Sequence, residues 1–317
     1  MSNFFNLLKT FIKTTELTSA EKKRSKHFYT IMGTAVVLLI MIPAGALVGI
    51  ITYALTLGVM TYGGATQGAE VILHIISILS VVFGINVIIN IFYFSNDIEN
   101  LIPLPLKPRE IVSAKFAYSL LSENIMEFIL ILGACVGFMS AKGFSLTGVI
   151  TSIIGILTVP IIPLAYCGII AVIFMYFTHS VKNRDFLNKI TGIGTAVLIV
   201  GALVALVSIS GFNPDAIVTS LASADNGFLN VMNFIFPHIP LMMDSISSES
   251  VYQLLLYLLA NVIFVAVFLF LASKMYIKGV SDINTTKSKR SKSIASQAVE
   301  KSTQKGVFAS YLKKEFL

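Results

Sequence analysis

Charge is what this sequence has least of. Only 12% of its 317 residues are Asp, Glu, Lys or Arg, against about a quarter in a soluble domain. Hydrophobic residues make up 56%, more apolar surface than a soluble fold of this length can hide. Cysteine is nearly missing too. Cys135 and Cys167 both fall inside apolar runs, which excludes a disulfide framework or a metal site and leaves them as small apolar filler. Signatures of chemistry are absent as well. There is no GxxxxGK[ST], so the chain does not hydrolyse ATP itself, and there is no HExxH or GxSxG. It reads as a non-enzyme with no cofactor of its own. No basic-aromatic module for nucleic acid is present. A cleavable signal peptide is not visible either: 27 polar residues precede the first apolar run, and that run is too long for a signal core.

What is there is a series of long apolar runs. A helix of roughly 20 residues crosses about 30 Å of hydrocarbon. Six runs qualify, at about 28–56, 71–94, 117–139, 147–178, 190–211 and 251–273. Backbone groups cannot stay unpaired in lipid, and β-barrel alternation is absent, so the runs are predicted helices. The expected fold is all-α, a polytopic membrane protein with six transmembrane helices across residues 28–273. The first and fourth runs are over-long, which predicts tilt or an interfacial turn. Every Lys and Arg except Lys142 falls in residues 1–27, the turn at 95–116, the turn after span four, or the segment from Lys274 onward. The opposite loops carry Glu70, Asp215, Asp225, Asp244 and Glu249. That asymmetry puts both termini in the cytosol of a bacterial plasma membrane. The net charge of +7 is then a topology and lipid signal, anionic headgroups being the partner.

The flanking segments have their own character. In residues 4–13, Phe4, Leu7, Leu8 and Phe11 share one helical face with Lys9 and Lys13 off it. This predicts an amphipathic elbow helix on the inner leaflet, within a cytosolic segment 1–27. Residues 226–247 are apolar but broken by Pro237 and Pro240. They are too short to span, and read either as a helical hairpin in the outer interface or as a loop on the headgroups. Residues 274–307 are Ser-, Thr- and Lys-rich without hydrophobic period, a flexible cytosolic linker. In 308–317, Leu312, Lys314, Phe316 and Leu317 repeat the pattern of Leu7, Lys9, Phe11 and Ile12. A second elbow starts there, as in the first half of a two-half protein; the other reading is a natural half that dimerises.

Polar residues inside the spans are few. Glu123 and Glu127 are four apart, on one face of span three. An acid at mid-membrane costs about 2.5–3.5 kcal/mol on insertion scales. The pair therefore faces the bundle or a wet cavity, either as a substrate-path or cation-binding pair or as acids bonded to Ser122, Asn124 or a neighbouring helix. Asn86 and Asn90 share a face of span two at similar depth. They complement those acids or hold helices together at around 0.6 kcal/mol each. His74 reads as a proton shuttle or as an interhelical hydrogen-bonding group.

The turn at 95–116, SNDIENLIPLPLKPREIVSAKF, is richer than a connector needs to be. Asp97 and Glu99 suit the start of a short helix. Pro103 and Pro105 stop it. Pro108 and Glu110 suit the first turn of a new helix that runs through Lys115 into span three. Leu101, Leu104 and Leu106 are apolar teeth with no local core. The result is a rigid knuckle tied to two spans, shaped to be gripped by a partner. Its residues Asp97, Ile98, Glu99, Leu101, Leu104, Pro105, Pro108, Ile111, Ala114, Lys115 and Phe116 form a pattern that resembles the cytosolic coupling segment of ATP-binding-cassette exporter permeases of the type-2 class.

That resemblance implies a transport subunit that docks on a separate ATP-binding-cassette ATPase, which carries ATP and Mg. The docking residues would be Asp97, Glu99, Leu101, Leu104, Pro105 and Arg109, and two six-span halves would form one pore. An amphipathic cargo is expected: a peptide, drug or lipid-like molecule. The rival expectations are an ion-coupled secondary transporter using Glu123 and Glu127, and a non-transporting immunity or sensor subunit.

Overall fold

The computed structural model describes residues 2–17, 26–92, 106–177, 192–193, 196, 200–201, 213–223 and 226–275. Among the described residues there is no strand, so the all-α class holds. The helices are α1 (Ser2–Leu17), α2 (Lys26–Thr61), α3 (Gln67–Phe92), α4 (Pro108–Lys142), α5 (Leu146–Thr158), α6 (Ile161–Phe177), α7 (Pro214–Ala222), α8 (Gly227–Ile235), α9 (His238–Ser248) and α10 (Val251–Met275). Four stretches are long and apolar enough to cross a membrane: Leu39–Thr61, Gln67–Phe92, Leu146–Ile173 and Val251–Met275. A fifth joins them if α4, bent by 59° between Pro108–Ile125 and Glu127–Lys142, counts as one span. The run at 190–211 lies mostly outside the described residues. So do Asp97, Glu99, Leu101, Leu104 and Pro105, the linker beyond Met275, and the second elbow at 308–317.

Local chemistry sets the helix ends. Pro108 opens α4, where its missing N–H is no loss, and the Glu110 carboxylate accepts the Lys107 N–H at 3.0 Å. Gly143, at φ 113°, closes α4, and its N–H donates to the Met139 carbonyl. Ser145 caps α5 by accepting from the Gly148 N–H at 3.0 Å.

The run at 147–178, whose length predicts tilt or an interfacial turn, holds one stretch long enough to span, Leu146–Ile173, with a turn at Val159–Pro160 dividing α5 from α6. Two prolines explain the break. Pro160 has no N–H to continue the ladder, and Pro163 leaves the Val159 carbonyl, four residues back, without a helical donor. The imidazole of His238 on α9 takes that role, donating from Nε2 at 3.1 Å. The 226–247 segment is a pair of short helices, α8 and α9, interrupted at Phe236–Pro237.

Two clusters of buried side chains fill the bundle. One joins Leu7 of α1, Ile88 and Phe92 of α3, Val112 and Phe116 of α4, Leu164 and Cys167 of α6, and Phe268 of α10. The apolar face predicted for α1 thus packs on the bundle, Phe4 and Phe11 included, and leaves Phe5 and Ile12 exposed. The other cluster, toward the opposite end, joins Leu73, Phe138, Ile162, Ile239, Met242 and Tyr257. Between α2 and α4 the backbones nearly touch, because Gly45 and Gly49 face Gly133 and Gly137. Small residues four apart permit such an approach. An apolar groove of about 510 Å³ runs along this seam, bordered by Ile42, Ile50, Tyr53, Leu132 and Val136.

Candidate functional site

Glu123 and Glu127 sit at the bend of α4, one on each side of it. Both are buried, at 0% and 4% exposure. Among the described residues no donor meets either carboxylate in hydrogen-bonding geometry. The neighbours that were candidates to satisfy them are engaged elsewhere. Ser122 donates to the Tyr118 carbonyl at 3.1 Å, and Asn124 donates to the Leu120 and Leu157 carbonyls at 3.2 and 3.3 Å. An unpaired buried polar group costs about 1–3 kcal/mol, more when charged.

The wall facing the acids comes from α3 and α6. A Cβ placed on Gly84 would stand 3.9 Å from Glu123 Cδ, 3.6 Å from Cys167 Sγ and 3.0 Å from a Leu164 methyl. The bare glycine thus makes room for the Glu123 side chain. One turn away, the Ser80 hydroxyl lies close enough to Glu127 to act on its charge, yet outside hydrogen-bonding geometry. Ser80 and Ser77 are both fully buried, and their hydroxyls have no partner. Cys167 lies on the Glu123 side of this wall and donates from Sγ to the Val81 carbonyl at 3.4 Å. Both cysteines are free and buried, as filler should be.

A second polar group occupies the opposite end of α3. Glu70 accepts a hydrogen bond from Thr66. His74 is fully buried and donates from Nε2 to Asn233 Oδ1 of α8 at 2.7 Å, the interhelical role. At the α1 end, Lys115 is fully buried. Its ammonium donates to the Ile91 carbonyl at 2.9 Å and stands 5.8 Å from the centre of the Phe11 ring, so it ties together α4, α3 and α1.

The other predicted site residues lie elsewhere. Asn86 and Asn90 are exposed, and their side-chain amides donate to carbonyls of their own helix, Val82 at 3.3 Å and Asn86 at 2.9 Å. They do not meet the acid pair, because two and six residues of helix beyond Gly84 are turns of roughly 200° and 240°. Arg109 is exposed on the first turn of α4. Sequence reasoning missed Ser80 and Gly84 as neighbours of the acids. Their small side chains, four apart on one face of an apolar helix, were the signal. Among the described residues no group of three His, Cys, Asp or Glu is placed to hold a metal. No protein-family model, curated protein or solved structure matches the chain.

Proposed function

We propose that the chain is the transmembrane subunit of an ATP-driven exporter, working with a separate ATP-hydrolysing subunit at residues 95–116 and with a second six-span half. The observation that carries this reading is the continuity of α4. It starts at Pro108, inside the proline-rich knuckle, and runs as helix to Glu123, with Glu127 just past the 59° bend. A push on the knuckle therefore moves the Glu123–Glu127 bend directly. Lys115 extends the same push to α3 and α1 through Ile91 and Phe11.

The remaining support comes from the six apolar runs, the cation asymmetry, the helix α1 before the first span, and the α8–α9 pair before the last. Asp97 and Glu99 pair with basic groups of the ATPase, Leu101 and Leu104 fill its groove, Pro105 stiffens the knuckle, and Arg109 anchors its α4 side. Swinging a pore from 1:99 to 99:1 needs about 5.5 kcal/mol of differential binding, within the reach of nucleotide-driven closure. The cargo is an amphipathic peptide, drug or lipid-like molecule, and the setting is a plasma membrane with both termini inside.

The test is co-expression with the partner ATPase, and replacement of Leu101 and Leu104 by Asp. Transport and stimulated ATPase activity are expected to vanish while membrane insertion stays normal; survival of both activities sinks the reading. One observation favours a second reading, an ion-coupled transporter: the two buried carboxylates have no protein donor. A flux from this chain alone that an uncoupler abolishes would select it.

A further inference from the structure

We infer that Glu123 and Glu127 of α4, with the Ser80 hydroxyl of α3, form a binding site for a small monovalent cation inside the helix bundle. This goes beyond the exporter reading and does not rest on it, because it concerns the chain alone.

The charge balance comes first. Two carboxyl groups on either side of the α4 bend are both buried, with no Lys or Arg partner among the described residues, so their charge must be neutralised on the spot by a proton or a cation. The oxygen count comes next. Ser80 Oγ is fully buried, has no hydrogen-bond partner and faces Glu127. Four carboxylate oxygens and this hydroxyl make a cluster of hard oxygen donors. Gly84 keeps the space beside Glu123 open.

The donor set also selects the ion. Calcium takes six to eight oxygens, and magnesium keeps several of its waters. Leu164 and Cys167 supply none of these on the α6 side, and no third acid or histidine of the described residues joins the pair. A single alkali ion with one proton shared by the acids neutralises the site with the oxygens present.

The rest of α3 shows a route to it. Glu70, His74, Ser77, Ser80 and Gly84 fall within an arc of about 120° on one helix face and cover about 21 Å of its length. Glu70, His74, Ser77 and Ser80 are all buried, and the free ring nitrogen of His74 and both serine hydroxyls lack a partner. A polar file thus leads from the α8 end of the bundle to the acids.

The test uses the full chain, purified in detergent in choline chloride, with sodium chloride as the probe. Radioactive sodium binding by scintillation proximity and the thermal unfolding midpoint are both read. Saturable sodium binding is expected, with a midpoint rise of roughly 5 °C at a hundredfold excess over the dissociation constant. E123Q/E127Q should lose both. Should that variant not survive purification, E127Q and S80A serve instead, and wild-type affinity in both overturns the proposal. No sodium or potassium binding to the wild type overturns it. So does binding of calcium or magnesium alone, or sodium binding unchanged in E123Q/E127Q. Export and stimulated ATPase activity that survive replacement of Leu101 and Leu104 by Asp, with sodium binding intact, would count against the exporter reading only.

Discussion

Adding one methyl group at Gly133 probes the seam between α2 and α4. A Cβ there would stand 2.1 Å from the Gly45 carbonyl oxygen, and ordinary contact begins at 3.4 Å. The backbones must part by about 1.3 Å at that point. The obstacle is main chain, so no rotamer change relieves it. A gap of 0.5–1 Å already forfeits a quarter to a half of a dispersion contact, and the neighbouring approach of Gly137 to Gly49 opens with it. Overpacking of this kind costs about 1–3 kcal/mol, and the severity here points to the upper end. Alanine returns about 1 kcal/mol through its helix propensity. The net expectation for G133A is a loss of about 2 kcal/mol, a fall of roughly 4 °C in the thermal midpoint. Thermal scanning of the purified chain in detergent, read by size-exclusion chromatography, measures it. Gly227 is the control, since a Cβ there meets nothing within 4 Å, and G227A should stay within about 0.5 kcal/mol. A G133A protein as stable as wild type, or more so, would refute the close seam.

Other outcomes follow from buried polar groups. K115M leaves the Ile91 carbonyl without its ammonium donor, so stability should fall by about 1–3 kcal/mol. Trypsin should then reach the exposed Lys9 sooner; unchanged cleavage and stability would refute the tie to α1. Y257F removes the hydroxyl bonded to Thr158 at 2.5 Å and should cost about 1 kcal/mol, whereas Y257A should cost about 3–5 kcal/mol. Equal effects would mean that the ring contributes little. His238 lies outside the membrane-spanning stretches. Burial, aided by nearby His74, pushes its pKa from 6.5 down to about 3, while the Val159 carbonyl works the other way. Between those values the unfolded chain binds more protons than the folded one, so stability is full above pH 6.5 and falls as pH drops toward 3. H238Q should flatten that slope in thermal scans, and an identical slope in both proteins would rule His238 out as its source.

Much of the architecture was legible because span length is a one-dimensional property. The runs starting near 28, 71 and 251 coincide with α2, α3 and α10 to within a few residues, and Pro108 marked the start of α4. The break at Val159–Pro160 was harder to see. Composition favours one long span there, and the proline effect depends on a distant imidazole to complete it. The acid pair was readable from its spacing of four. Its surroundings were not, since which face of α3 meets α4 depends on packing register, and Asn86 and Asn90 fell on the wrong side of that register. The glycines at 45, 49, 133 and 137 show the opposite case: their spacing was in plain view, but only the fold pairs one set with the other.

The bond from His238 to the Val159 carbonyl carries a consequence for biosynthesis. The partners are 79 positions apart, and the imidazole belongs to a segment made long after α5 and α6. Until residue 238 leaves the ribosome, the helical break has an acceptor with no donor in an apolar setting. Nascent chains stalled before that point should therefore hold α5 and α6 in an unsettled arrangement, and the first chains long enough to include α9 should lock them.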